Sequence, residues 1–151
     1  MEQKCSVEAA GARHVIAMEE ESFVSRLHEI TKGKGIRVIF DAVGGLHVVE
    51  LADVMSPGGI LIAHGMLSSN PTPFPLKTAI SKSLTMRGYV FTEVVTNPEH
   101  LAGAKRFIFD GLESGHFKPL IAKIFSFDEV QATHHYLESN RQIGKVVVTV
   151  P

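Results

Sequence analysis

Ile36-Arg37-Val38-Ile39-Phe40-Asp41 runs directly into Ala42-Val43-Gly44-Gly45. The first part is dominated by apolar, β-branched residues and is short, the signature of a strand. Such a run between helical patterns reads as a parallel strand covered on both faces. Asp41 and the glycine pair then fall at its carboxyl end, where open α/β sheets hold their ligands.

Upstream, His14-Val15-Ile16-Ala17 reads as an earlier strand. Glu19, Glu20 and Glu21 precede a helix with Phe23, Leu27 and Ile30 on one face, and negative charge suits a helix amino terminus. Gly33-Lys34-Gly35 ends that helix, so the order is strand, helix, strand, the unit of a parallel sheet. Downstream, Val48, Ala52 and Met55 form a helical stripe with Val49 beside it, and Ser56-Pro57-Gly58-Gly59 stops it. Ile60-Leu61-Ile62-Ala63 is the next buried strand and ends in His64-Gly65.

A proline-broken loop over 70–75 leads to a short helix from Leu76 to Ser81 and a strand from Leu84 to Phe91, interrupted by Gly88. Asn97-Pro98 opens a helix that is expected to bury Leu101, Ala104, Ile108 and Leu112 and to end near Gly115. The tail reads as an extended Leu120–Phe125, a capping box at Ser126-Phe127-Asp128-Glu129 and a helix carrying Val130, His134 and Leu137 on one face. Gly144 introduces a closing strand, Lys145–Val150. The fold class is α/β.

The chain has 151 residues, 44% of them hydrophobic, enough for a real core. A net charge of −1 gives no electrostatic reason to expect nucleic acid as a partner. No run approaches the roughly 20 apolar residues of a membrane helix, and the first residues lack the apolar segment of a secretory signal. The expected location is therefore cytoplasmic. The single cysteine, Cys5, leaves no internal disulfide and no multi-cysteine zinc site. Of the eight histidines only His134-His135 are adjacent, and neighbours on a helix point about 100° apart, a poor chelating arrangement. His134 instead reads as a packing residue on the apolar face. No metal site and no Ser-His-Asp arrangement is expected.

Gly11-Ala12-Arg13-His14-Val15-Ile16, Ile30-Thr31-Lys32-Gly33-Lys34-Gly35, Ile39-Phe40-Asp41-Ala42-Val43-Gly44-Gly45, Ser56-Pro57-Gly58-Gly59, His64-Gly65, the Phe127-to-Ser139 helix and Gly144-Lys145-Val146-Val147 follow one another in order. This series resembles the medium-chain dehydrogenase/reductase superfamily, its NADPH:quinone oxidoreductase branch more than its zinc alcohol dehydrogenases. The resemblance covers essentially the whole chain.

It implies a truncated Rossmann-like sheet, doubly wound and mostly parallel, lacking its first two strands, with a carboxyl-terminal helix-strand tail. Residues 1–118 would be a partial nucleotide-binding domain. Residues 119–151 would be a tail that, in the family, packs on a GroES-like catalytic domain. No G-x-G-x-x-G turn, the element that holds a pyrophosphate, occurs in the sequence. The chain is thus expected to be the carboxyl-terminal half of a longer enzyme.

The resemblance also implies cofactor positions: Asp41, Val43, Gly44 and Gly45 near the nicotinamide ribose, and His64, Gly65 and Met66 lining the nicotinamide pocket. Lys4 would meet the 2′-phosphate of NADPH as a point charge, and Gly144 and Lys145 match a closing Gly-Lys pair. Each has a plainer alternative: strand-end glycines making tight turns, Asp41 capping the turn after it, Lys4 solvated near the terminus, Gly144 initiating a strand.

No catalytic residue is assigned. The implied activity is hydride transfer from NADPH to a quinone or activated enone without zinc, with this chain alone inactive and binding NADPH weakly or not at all. The other reading is a non-catalytic dimerisation or interaction module. Self-association as a homodimer is expected through the edge strand Leu84–Phe91, or by exchange of segments that lack their partners.

Overall fold

A computed structural model of the chain describes residues 2–18, 20–139 and 141–151. Glu19, one of the three acidic residues placed before a helix, lies outside these. In chain order the elements are α1 (Glu2–Ala9), α2 (Phe23–Thr31), β1 (Ile36–Asp41), α3 (Val48–Val54), β2 (Met55–Ala63), α4 (Leu76–Lys82), β3 (Thr85–Gly88), α5 (Thr92–Val95), α6 (Pro98–Glu113), β4 (Ile121–Ser126), α7 (Val130–Glu138) and β5 (Lys145–Thr149). They divide into two compact units, residues 16–97 and residues 1–15 with 98–151.

In the 16–97 unit, β1, β2 and β3 form a parallel sheet in that order. Its core is built by Val48, Leu51, Met55 and Leu61, with Phe23, Ile39, Ala63, Leu84 and Met86 packed against them. The helical stripe read around Val48, Ala52 and Met55 is buried as expected. Ser22 caps α2, its hydroxyl accepting from the Ser25 amide at 3.4 Å.

The Ser56–Gly59 stretch does more than end a helix. The register runs Ile36 to Met55 and then Val38 to Ile60, so these residues bulge out of a strand that had already begun. Pro57 is tolerated there because a bulge has no ladder hydrogen bond for it to break.

Two expectations fail here. His14–Ala17 form no strand, because β propensity makes a strand only where a neighbouring backbone pairs with it, and none does among the described residues. Among the described residues β1 is an edge strand, and it is not covered on both faces: Val38 is 44% and Phe40 68% exposed, with no element packed over that face. Their alternates Ile39 and Asp41 turn the other way, toward the helices and the following turn. The strand read over Leu84–Phe91 is shorter, Thr85–Gly88; at Gly88 it ends instead of being interrupted.

In the other unit β4 and β5 pair in parallel. Phe125 is buried beneath Tyr136, ring centres 5.9 Å apart, and the Lys123 ammonium lies 4.5 Å from the Phe125 ring centre. The capping box at Ser126 and Glu129 is formed, with both groups of Ser126 donating to one Glu129 oxygen at 2.9 Å. The apolar stripes of this unit are not buried as read. On α6, Ile108 is 50% and Leu112 40% exposed, and the residue that is buried is Gly111, under the Phe117 ring. On α7 the buried residue is Thr133, whose hydroxyl donates to the Glu129 carbonyl at 3.0 Å, while His134 is exposed and packs no core. Periodicity correctly identifies an apolar face, but whether that face is covered depends on what lies against it.

Candidate functional site

The carboxyl end of β1 is held by its own side chain. Asp41 is buried, and its carboxylate accepts the amides of Val43 at 2.9 Å and Gly44 at 3.1 Å. The capping alternative weighed for Asp41 is therefore the geometry found. The turn continues into a short helical segment, Gly45–His47, that leads to α3. Gly45 has φ 74°, and a Cβ there would lie 2.3 Å from the Ser68 hydroxyl. Its amide donates to the Thr72 hydroxyl at 2.8 Å.

The carboxyl end of β2 meets this turn directly. The amides of His64, Leu67 and Ser68 donate to the carbonyls of Asp41, Ala42 and Val43 at 2.8, 3.3 and 2.9 Å. A Cβ on Gly65 would come within 2.4 Å of the Ala42 carbonyl, so glycine alone lets the two backbones approach this closely. Val43, Gly44 and Gly45 are thus brought together with His64, Gly65 and Met66. Met66 projects into solvent, 92% exposed, and the His64 ring lies edge-on to Phe40 with centres 6.4 Å apart.

Beside them a groove of about 530 Å³ opens at the ends of β2 and β3, lined by His64, Gly65 and Met66 on one side and Gly88, Tyr89 and Glu93 among the residues on the other. The β3 side was not read from sequence as part of a site. Its signal was Gly88, which looks like a break within a longer strand and is where the strand stops. The Tyr89 amide donates to the Ala63 carbonyl at 2.8 Å, turning the chain into the groove wall.

The other three candidate residues belong to the second unit. Lys4 is half-buried on α1. Gly144, at φ 110°, precedes β5; a Cβ there would meet the Leu120 carbonyl at 2.5 Å, and the Lys145 amide donates to that carbonyl at 2.7 Å. Strand initiation accounts for that geometry.

Loops converging at the carboxyl ends of parallel strands are the ligand-facing arrangement of dinucleotide-binding α/β proteins. Residues 10–148 match the family of zinc-binding dehydrogenases, and the chain belongs to it, within the medium-chain dehydrogenase/reductase superfamily. It is 32% identical over 138 residues to quinone oxidoreductase 1 of Escherichia coli, covering 89% of this chain and 42% of that protein. To the 2-haloacrylate reductase of a Burkholderia species it is 26% identical over 144 residues, covering 91% of this chain and 42% of that protein.

Among solved structures, the Escherichia coli quinone oxidoreductase complexed with NADPH superposes with a TM-score of 0.86 at 30% identity, over 97% of this chain and 46% of that one. The chain spans 42% of the length of the two curated relatives.

Despite the family's description, no three His, Cys, Asp or Glu side chains come together as metal ligands among the described residues. The described residues therefore offer zinc no ligand set. No helix among the described residues is long and apolar enough to cross a membrane.

Proposed function

We propose that this chain supplies the nicotinamide-facing wall of an NADPH-dependent oxidoreductase that reduces a quinone or activated enone without zinc. The observation that carries this reading is the hydrogen-bonded convergence of Asp41–Gly45 with His64–Ser68 at the strand ends, beside an open groove. A bound nicotinamide would supply the hydride. The chain's part is positional. Val43, Gly44, Gly45, His64, Gly65 and Met66 present a rigid backbone surface against which a planar ring can lie. The amides of Val43, Gly44 and Gly45 are already committed to Asp41 and Thr72, so this turn suits a ring better than a phosphate. Lys4, Gly144 and Lys145 enter the proposal as cofactor residues on the family resemblance alone.

Residues 1–118 would serve the nucleotide and residues 119–151 a catalytic domain. By itself the chain would lack turnover. NADPH titrated into the 151-residue chain, with amide shifts followed, is expected to move His64, Gly65 and Met66 weakly, and steady-state NADPH oxidation with quinones is expected to be nil. Shifts confined to other residues would remove the site reading.

A second reading, a dimerisation module, draws on β3, whose outer backbone is an unpaired sheet edge among the described residues. Pairing of the Leu84–Phe91 edge with a second copy, or exchange of segments, would raise the sedimentation coefficient with concentration; a monomer throughout would remove it.

A further inference from the structure

The groove at the ends of β2 and β3 carries one acidic side chain, Glu93, among walls that are otherwise backbone, apolar groups, His64 and Tyr89. Glu93 is ion-paired with Arg87. On β3, Met86 packs on the core, so the alternation of a strand puts Arg87 on the opposite face, outside the groove lining. Glu93 thus lines the groove while Arg87 stands outside its lining.

We infer that Glu93 makes this groove select uncharged ligands, so that the acceptor it serves is a neutral quinone or enone and not a carboxylate-bearing acrylate. The inference rests on the nicotinamide-wall reading and names the substrate class for it. It separates two chemistries represented among the relatives, since a quinone is neutral and a 2-haloacrylate is an anion at neutral pH. A carboxylate on an apolar-walled groove repels a second carboxylate more strongly than it would in open water. Glu93 is 39% and Arg87 59% exposed, so solvent and the counter-charge reduce the effect to a modest factor.

The test uses benzamide and benzoate, which share a planar ring, differ by one charge and do not react with Cys5. Each is titrated into the 151-residue chain while the amide shifts of His64, Gly65, Gly88 and Tyr89 are followed. Benzamide is expected to move these amides, with benzoate at least about fivefold weaker. Glu93→Gln should bring the two together, and Arg87→Met, which keeps the carboxylate and removes its counter-charge, should widen the gap.

Equal binding by the unaltered chain, or a gap that survives Glu93→Gln, would overturn the selectivity while leaving the nicotinamide wall standing. If neither ring moves the groove amides at millimolar concentration, both fall.

Discussion

The amide of Gly44 points at both carboxylate oxygens of Asp41, 3.1 Å from each. With the Val43 amide on Oδ1 at 2.9 Å, one buried carboxylate fixes the turn on which the rest of the strand-end cluster is assembled. The carbonyls of Asp41, Ala42 and Val43 in turn receive the amides of the β2 segment. Asp41 thus holds Val43 and Gly44 in place, while Thr72 holds the Gly45 amide.

Replacing Asp41 with Ala is therefore expected to cost about 2–3 kcal/mol, because two turn amides lose a charged acceptor in a site too enclosed for ready replacement by water. Chemical denaturation should report the loss, and hydrogen exchange should speed most at Val43 and Gly44. Asp41→Asn keeps one acceptor oxygen and should cost less. Equal stability of Asp41→Ala and the unaltered chain would show that these hydrogen bonds do not hold the turn.

Gly45 and Gly33 make a controlled pair. Both have φ near the left-handed region, 74° and 75°, but a Cβ on Gly33 meets nothing within 4 Å whereas one on Gly45 lies 2.7 Å from the Ser68 Cβ. Ser68 cannot simply retreat, since its amide is bonded to Val43 at 2.9 Å. Gly33→Ala should cost about 1 kcal/mol, the backbone strain alone. Gly45→Ala should cost about 2–4 kcal/mol, strain plus overpacking. Similar midpoints for the two variants in urea would contradict the close approach.

What the residue pattern could show follows from range. The β1 strand, its glycine turn, the α3 stripe and the Ser126–Glu129 capping box are local, written within a few residues, and each was legible. Burial was not, because it depends on what lies opposite: Phe40, Ile108 and His134 are exposed although their spacing suits an interior. At the site, Asp41 and the glycines stood out as residues, but the partners Thr72 and Ser68 lie in a loop that no periodicity describes. Glu93 was missed because a strand was read through the residues that turn the chain toward it.

Lys82 is another long-range partner. Its ammonium donates to the carbonyls of Asp53 at 2.6 Å, Met55 at 2.9 Å and Ala52 at 3.4 Å, around the carboxyl end of α3. A cation there adds donors where the helix runs out of them and complements its dipole. Lys82→Met, which keeps the aliphatic stem, should cost about 1–2 kcal/mol, and the loss should shrink as salt is added only if the ammonium is solvent-screened. Hydrogen exchange across Ala52 to Met55 should locate it. An unchanged denaturation midpoint would rule out the cap.

Glu129 makes the start of α7 sensitive to acid. The Ser126 amide, then its hydroxyl, both donating to the carboxylate, together with the nearby Lys123 ammonium, hold its pKa below the ordinary glutamate value. At a pH between the two values the unfolded chain binds the extra proton, so folding is favoured by deprotonation. The contribution is fully present above the unfolded-state pKa and is lost as pH falls through the lower, folded-state one. Side-chain carboxyl shifts followed by NMR should place the Glu129 midpoint below the ordinary glutamate value, and amide protection at Val130 to Thr133 should fall over the same acid range. Glu129→Gln should flatten that dependence while lowering protection at neutral pH. A Glu129 midpoint at or above the ordinary value would show that the capping box does not favour the charged form in solution.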